Sequence, residues 1–478
     1  MTFAWIGGTP SSTLGVIPPE SESEEIWVSA YLGAWNHYAP PGGNWGILPT
    51  DAIDWDAFTH LFYFAMNAKP DGSLSPIKKY HNFNPDRLKA IVSAAHASGT
   101  PVLFSIGGWG NHTEFSRAIL PKNRTKFINN LIDVLKEWDF DGIDLDLEPI
   151  KDPDVPYYKK FVAELYSRLQ SLETPMRSPP LLTTATNWQP EMHREIHHYF
   201  DQINLMTYDY SGPWRGWVSW HNAPLYHGGY KFESTNRYVP SADGEISEFT
   251  AAGVPRDKLG IGIDFYGYIW HGVTGPRQDW KQRPVVKPNV PYWLLMEEYF
   301  KFRYYRWDDR AKVSYLSIDE GPKQKMFITY DDKRTAREKI RYARKHGIGG
   351  VIIWELGGGY RYNQPAGERD QLLQAVKEAF RLGIYLDSTS AQSPVLLQNY
   401  PNPFNASTTF EFHLPKRQHV KLFVYDASGR KVRELANQVL PPQRYVFEWN
   451  PEDLPSGIYF CHLITGSRKI TKKVTLLQ

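Results

Sequence analysis

The chain runs to 478 residues, long enough for more than one domain or for one large barrel with an appendage, and its 54 basic against 52 acidic residues leave a formal charge of +2. That balance, with no block of like charge, excludes nucleic acid as the main partner and points to an uncharged or small one. The single cysteine, Cys461, excludes an internal disulfide, and no apolar run reaches the ~18 residues of a membrane span.

Residues 1–26 show neither the basic region nor the apolar core of a signal peptide, and their Pro, Ser and Glu content predicts a flexible leader. Strand-like runs and amphipathic helical stretches then alternate. Strands are expected at 27–32, 60–65, 101–106, 142–147, 181–185, 202–207, 259–264 and 350–354, and helices at 85–97, 124–138, 157–172, 245–252, 335–346 and 368–381. Eight such units within 27–386 predict an α/β fold of the closed (β/α)8 TIM-barrel type, with no Gly-rich dinucleotide fingerprint after the first strand to favour an open sheet. The longest excursion, about 268–329, is expected to build one wall of a cleft. A polar, Pro-closed linker follows at 387–397. Beyond it, residues 398–478 change character: alternating runs at 408–414, 420–425, 445–449, 457–463 and 470–476, separated by turn signals, predict a small C-terminal all-β sandwich.

The stretch FDGIDLDLEP, residues 140–149, carries the chemistry. Asp144, Asp146 and Glu148 alternate with Ile143, Leu145 and Leu147, the period of a β-strand, so the three carboxylates face one way. At roughly 6.6 Å between alternate Cα atoms, three such charges in one cleft do not all stay ionised, and at least one is expected to hold a proton near neutral pH, as a general acid must. A solvated edge-strand face or an oxygen-ligand metal site would also use such acids, but no histidine is spaced to complete a metal site. The fourth strand therefore delivers acids to the barrel end where catalysis occurs.

Seventeen tryptophans exceed what a core needs, and indoles suit ligands with flat apolar faces such as sugar rings. Trp35, Trp45, Trp109, Trp188, Trp214, Trp217, Trp220, Trp270, Trp280 and Trp354 all fall at or after strand ends, which predicts an aromatic-lined groove. If Glu148 protonates a glycosidic oxygen, Asp146 is too crowded beside it to be an ordinary nucleophile. It is better placed to orient one supplied by the substrate, such as an acetamido oxygen, with Asp144 behind it sharing its proton.

The segment 141–148 resembles the DGxDxDxE signature of glycoside hydrolase family 18, the chitinases and their relatives. SIGGW at 105–109 is similar to the family's SxGG motif, MTYD at 206–209 to its sixth-strand motif, and HNAPLY at 221–226 to the loop that follows, the likeness covering roughly 27–383. It implies Glu148 as general acid and later base, Asp146 holding the acetamido group, Asp144 supporting Asp146, and Tyr208 bonding the acetamido oxygen. Configuration would be retained through an oxazolinium intermediate. Tyr31, Met206 and Asp209 would line the same subsite over Trp354, with Trp109 and Trp214 on flanking sugars. No cofactor and no metal are implied, the partner being chitin or chitooligosaccharides and the working state a monomer. Leu147 departs from the aromatic residue many members carry there.

YPNPFN at 400–405, with STTFEFHLP, KLFVYDASGRKV, PSGIYFCHL and the terminal KKVTLLQ, resembles the C-terminal sorting domain of bacterial type IX secretion cargo. It implies recognition by that machinery and a secreted or cell-surface location in a Bacteroidetes-like lineage, with the signal peptide already removed. Two other functions remain open: an endo-β-N-acetylglucosaminidase on N-glycan cores, and a sugar-binding lectin, against which the presence of Glu148 argues. An activity optimum on the acid side of neutral is expected.

Overall fold

The computed structural model describes residues 15–16, 26–37, 48–76, 84–233, 235–280, 282–320, 325–387, 394–397, 399, 402–405, 407–451, 454–466 and 468–477. The chain divides into two compact units, Glu24–Phe380 and Met1–Ser23 together with Arg381–Gln478. Trp45 and much of the linker stretch lie outside the described residues.

In the larger unit, eight parallel strands close into a barrel: β1 (Trp27–Gly33), β2 (His60–Ala68), β3 (Val102–Gly107), β4 (Gly142–Asp146), β5 (Leu181–Thr186), β6 (Gln202–Leu205), β7 (Leu259–Asp264) and β8 (Gly350–Trp354). Each pairs with its neighbour in the chain, and β8 returns to β1 with Gly350 opposite Trp27 and Val351 opposite Val28. Strands β3 to β7 are buried along their whole length, as expected where helices cover the outer face. The helix Pro121–Glu137 shows how that cover forms. Phe127, Ile128, Leu131, Ile132 and Leu135 recur at helical spacing and are all buried, while the polar residues between them face out. The barrel and its expected strand order are thus observed.

Close approach is what β4 requires of its first residue. A Cβ on Gly142 would lie 2.6 Å from the Leu181 carbonyl oxygen of β5 and 2.8 Å from the Leu103 side chain of β3, so only glycine lets three strands meet there. Asp141, just before it, is buried and fully bonded. Its Oδ2 accepts from Val102 N at 2.8 Å and faces His96 Nε2 at 2.7 Å, and its Oδ1 accepts from Met176 N at 2.9 Å.

Two strand ends differ from the sequence pattern. β4 stops at Asp146, so Leu147 and Glu148 continue beyond the ladder. β6 stops at Leu205, because the next backbone bonds turn inward, Thr207 N to Leu205 O at 2.9 Å and Tyr208 N to Met206 O at 2.7 Å. The Thr207 hydroxyl then takes the ladder's place by accepting from Gly262 N at 2.7 Å on β7. The seven-residue helices His112–Ala118 and Pro190–Ile196 were not legible as periodic patterns, being only about two turns long.

Between β7 and β8 the insertion forms a five-stranded antiparallel sheet, in the order Val286–Pro291, Tyr266–His271, Met326–Tyr330, Val313–Ile318, Tyr305–Asp308, with the helix Tyr292–Glu298. The smaller unit holds two four-stranded antiparallel sheets. One orders Gly15–Val16, Gln443–Trp449, Thr408–Leu414 and Val395–Leu396; the other orders Lys431–Leu440, Gln418–Asp426, Gly457–Thr465 and Arg468–Leu476. Phe404, Phe410, Phe412, Val420, Leu422, Phe447, Trp449 and Cys461 meet in its apolar core. Each such fully buried apolar side chain stabilises the unit by roughly 1.5–3 kcal/mol. The strand Lys431–Leu440 escaped the sequence pattern because it is an edge strand, mostly exposed and bulged against its partner.

Candidate active site

The acids of β4 sit at the C-terminal mouth of the barrel. Asp144 is fully buried, and three other barrel strands each give it one hydroxyl. Its Oδ2 accepts from Tyr31 on β1 at 3.0 Å and from Ser105 on β3 at 2.8 Å, and its Oδ1 accepts from Thr183 on β5 at 2.7 Å. Burial raises its pKa to about 6 against those three bonds, which lower it. Asp146 is buried as well, and its Oδ1 has no hydrogen-bond partner. Burial comes first in raising its pKa well above the usual range, followed by the charges of Glu148 and Asp144.

Asp146 and Glu148 share a hydrogen bond that favours the proton on Asp146 and the charge on Glu148. Glu148 is half-buried and pushed up to about 7, first by burial and then by the Asp209 charge, against the Asp146 bond and the Trp109 backbone N–H. Asp146 therefore bonds outward to Glu148, while Asp144 is saturated by hydroxyls. Two carboxyls that trade one proton at the open end of a barrel strand have the composition of an acid–base pair.

Around this pair, Tyr31, Met206 and Tyr208 belong to one buried aromatic cluster, against which Trp354 packs. Trp354 lies 5.4 Å from the Tyr31 ring and meets Phe64 edge-on at 4.8 Å. The Tyr208 ring occupies the space beside Gly262, where a Cβ would come within 2.5 Å of it. Asp209 keeps a solvent-open face in the cleft, although the protein packed around its carboxyl raises its pKa against two phenol bonds that lower it. Those phenols are Tyr266, whose OH donates to Asp209 Oδ1 at 2.6 Å, and Tyr268, at 2.9 Å to the same oxygen.

Not every expected residue joins this cluster. Trp109 is 80% exposed and Trp214 43%, the latter edge-on to Trp217 at 4.5 Å. Of the tryptophans expected to line a groove, Trp220 and Trp270 are fully buried instead. Each has its indole N–H satisfied inside, Trp220 by Pro240 O and Trp270 by Ser211 Oγ, both at 2.9 Å, which makes them packing residues. Residues that the sequence did not single out are Thr183, hidden in the apolar run of β5, and the i, i+2 pair Tyr266 and Tyr268. Ser105 stood inside a motif without a role. Among the described residues no group of three or more His, Cys, Asp or Glu could hold a metal ion, and no helix is long and apolar enough to cross a membrane.

Comparison with known proteins gives two family matches, Glycosyl hydrolases family 18 over residues 28–359 and a secretion system C-terminal sorting domain over residues 398–476. The chain is 26% identical over 404 residues to a chitinase-like effector of Moniliophthora roreri, covering 73% of this chain and 93% of that protein. It is 30% identical over 319 residues to Chitinase A1 of Niallia circulans, covering 60% of this chain and 43% of that longer protein. Among solved structures, the Ostrinia furnacalis Group IV chitinase superposes with a TM-score of 0.62 at 21% identity, over 74% of this chain and all (100%) of that one, a likeness of fold.

Proposed function

The chain belongs to glycosyl hydrolases family 18, and from that premise we propose that it is an endo-acting chitinase, cleaving β-1,4 bonds between N-acetylglucosamine units with retention of configuration. The observation that carries this reading is the proton-sharing pair Asp146 and Glu148 at the mouth of the barrel, with Glu148 half-buried and poised at about 7. A group poised there gives up and recovers a proton near neutral pH.

Glu148 faces the glycosidic oxygen carrying the proton it shares with Asp146 in the free site, which passes to Glu148 as Asp146 turns away. As the bond from the anomeric carbon to that oxygen breaks, its electron pair goes to the leaving oxygen, which takes the Glu148 proton. The acetamido oxygen of the same sugar forms the new bond to the anomeric carbon, giving an oxazolinium ion. Asp146 swings from Glu148 to the acetamido N–H, and its unpartnered Oδ1 leaves it an acceptor free for that bond. Tyr208 donates to the acetamido oxygen. Asp144, held by three hydroxyls, supplies the fixed negative charge behind Asp146. Water then attacks the anomeric carbon, giving a proton to the Glu148 carboxylate and reopening the ring, so two inversions restore the starting configuration.

Trp354 with Tyr31 and Met206 supports a sugar in that position, and the exposed faces of Trp109 and Trp214 support flanking units. The sorting-domain match supports export to the medium or the cell surface, with type IX machinery reading the C-terminal unit. Time-resolved mass spectrometry on colloidal chitin and on a high-mannose glycoprotein, offered separately, tests the substrate. Chitobiose and short oligomers from chitin are expected. Release of N-glycans instead would move the function to cleavage of glycoprotein cores, and silence on both would leave a sugar-binding protein.

A further inference from the structure

The strand Tyr266–His271 opens the insertion, and alternation puts Tyr266, Tyr268 and Trp270 on one face. Each of the three reaches the segment that follows β6. The two phenols donate to Asp209 Oδ1 and the Trp270 indole N–H donates to Ser211 Oγ, which itself donates to Trp220 O at 2.5 Å. The strand is itself held on both sides, by Val286–Pro291 and by Met326–Tyr330, with Tyr268 opposite Thr329. A rigid sheet thus grips a bent segment. Asp209 has φ of 60°, a left-handed backbone that costs a residue with a Cβ roughly 1–2 kcal/mol, and the two phenols fix its side chain despite that.

We propose that Tyr268 is a positioning residue which, together with Tyr266, fixes the Asp209 carboxylate in the cleft beside Glu148, so that the insertion helps set the acid of the barrel. The inference rests on the hydrolytic reading above. Tyr266 also meets the Tyr208 ring edge-on at 6.0 Å, so its loss disturbs two groups, whereas Tyr268 offers the cleaner handle. The titratable groups around Asp209 are Glu148 from β4, Tyr208 from the segment after β6, and Tyr266 and Tyr268 from the insertion. Asp264 at the end of β7 acts on both phenols. Asp209 is the charge outside β4 that pushes Glu148 up. Two phenol donors favour the ionised form of the Asp209 carboxyl and hold it in place; with one donor it protonates more readily and turns more freely, and its field on Glu148 weakens.

The test is the pH profile of kcat/KM on a soluble chitooligosaccharide, in the full chain. Tyr268→Phe should move the basic limb to lower pH by about 0.3–0.7 units and cut kcat/KM at pH 7 by roughly threefold to tenfold. Asp209→Asn should move that limb further the same way. The double variant should match Asp209→Asn alone, since Tyr268 acts through Asp209. Tyr266→Phe, which removes the other donor from the same oxygen, should also shift the limb downward, and thermal melting reports whether each variant folds. A folded Tyr268→Phe or Tyr266→Phe with an unmoved limb would overturn the inference, as would a double variant shifted beyond Asp209→Asn. A wild-type chain that hydrolyses no β-1,4-linked N-acetylglucosamine would overturn the functional reading, and the inference with it; a wild type that hydrolyses while the limbs stay fixed sinks the inference alone.

Discussion

The two ends of β4 treat buried carboxylates in opposite ways. At the entry, Asp141 has both oxygens engaged by groups from elsewhere in the barrel, two backbone N–H donors and the His96 ring. At the exit, Asp146 keeps one oxygen without a partner and Glu148 is half-buried with its pKa raised. The strand supplies the same chemical group at both ends; what differs is how completely the surroundings pair it. Full pairing fixes the chain's path, and incomplete pairing leaves a carboxyl ready to exchange protons, at a cost in stability.

Removing a proton-handling group should sharpen that contrast most. Glu148→Gln should lower hydrolysis by about 10³-fold or more while leaving oligosaccharide binding within a few-fold, read by initial rates and calorimetry. Asp146→Asn should lower kcat by roughly 10²–10³-fold and leave the melting temperature unchanged or higher, because an amide replaces a buried carboxyl that already lacks a partner on one oxygen. Asp141→Asn should do the reverse. Its amide NH2 would face donors that now meet a carboxylate, costing about 2–3 kcal/mol in denaturant unfolding, while kcat at 25 °C stays near wild type. Activity lost with stability intact at Asp141 would break the comparison.

Stability should also depend on pH through the exit acids. Asp144 and Glu148 have folded pKa values raised to about 6 and about 7, so the folded state holds their protons more tightly than the unfolded one. Their contribution is full below the ordinary carboxyl range and is lost as pH rises through those values. Glu148→Gln should therefore lose less stability than wild type between pH 5 and pH 8, by roughly 1–2 kcal/mol after allowance for its partial exposure. The smallest effect is expected at Trp109, 80% exposed. Trp109→Ala should raise KM about threefold to tenfold without moving the melting temperature.

Much of this was legible in the chain because alternation and apolar runs obey local sterics. All eight barrel strands, the five expected sandwich strands and the acidic face of β4 follow from those patterns. What escaped depends on partners distant in sequence. Nothing local to Asp146 says that it bonds Glu148 while Asp144 is saturated by Tyr31, Ser105 and Thr183 from three other strands. The same holds for Trp220 and Trp270, whose positions after strands read as groove walls but whose indoles are satisfied inside, and for the grip of Tyr266 and Tyr268 on Asp209.

The most direct measurement of how the exit acids work is proton NMR of the first products from a chitooligosaccharide, recorded before mutarotation. Attack by the substrate's own acetamido oxygen predicts that the new reducing ends appear first as the β-anomer and relax toward the equilibrium mixture. Initial release of the α-anomer would mean direct displacement by water and would contradict the roles given to Asp146 and Glu148.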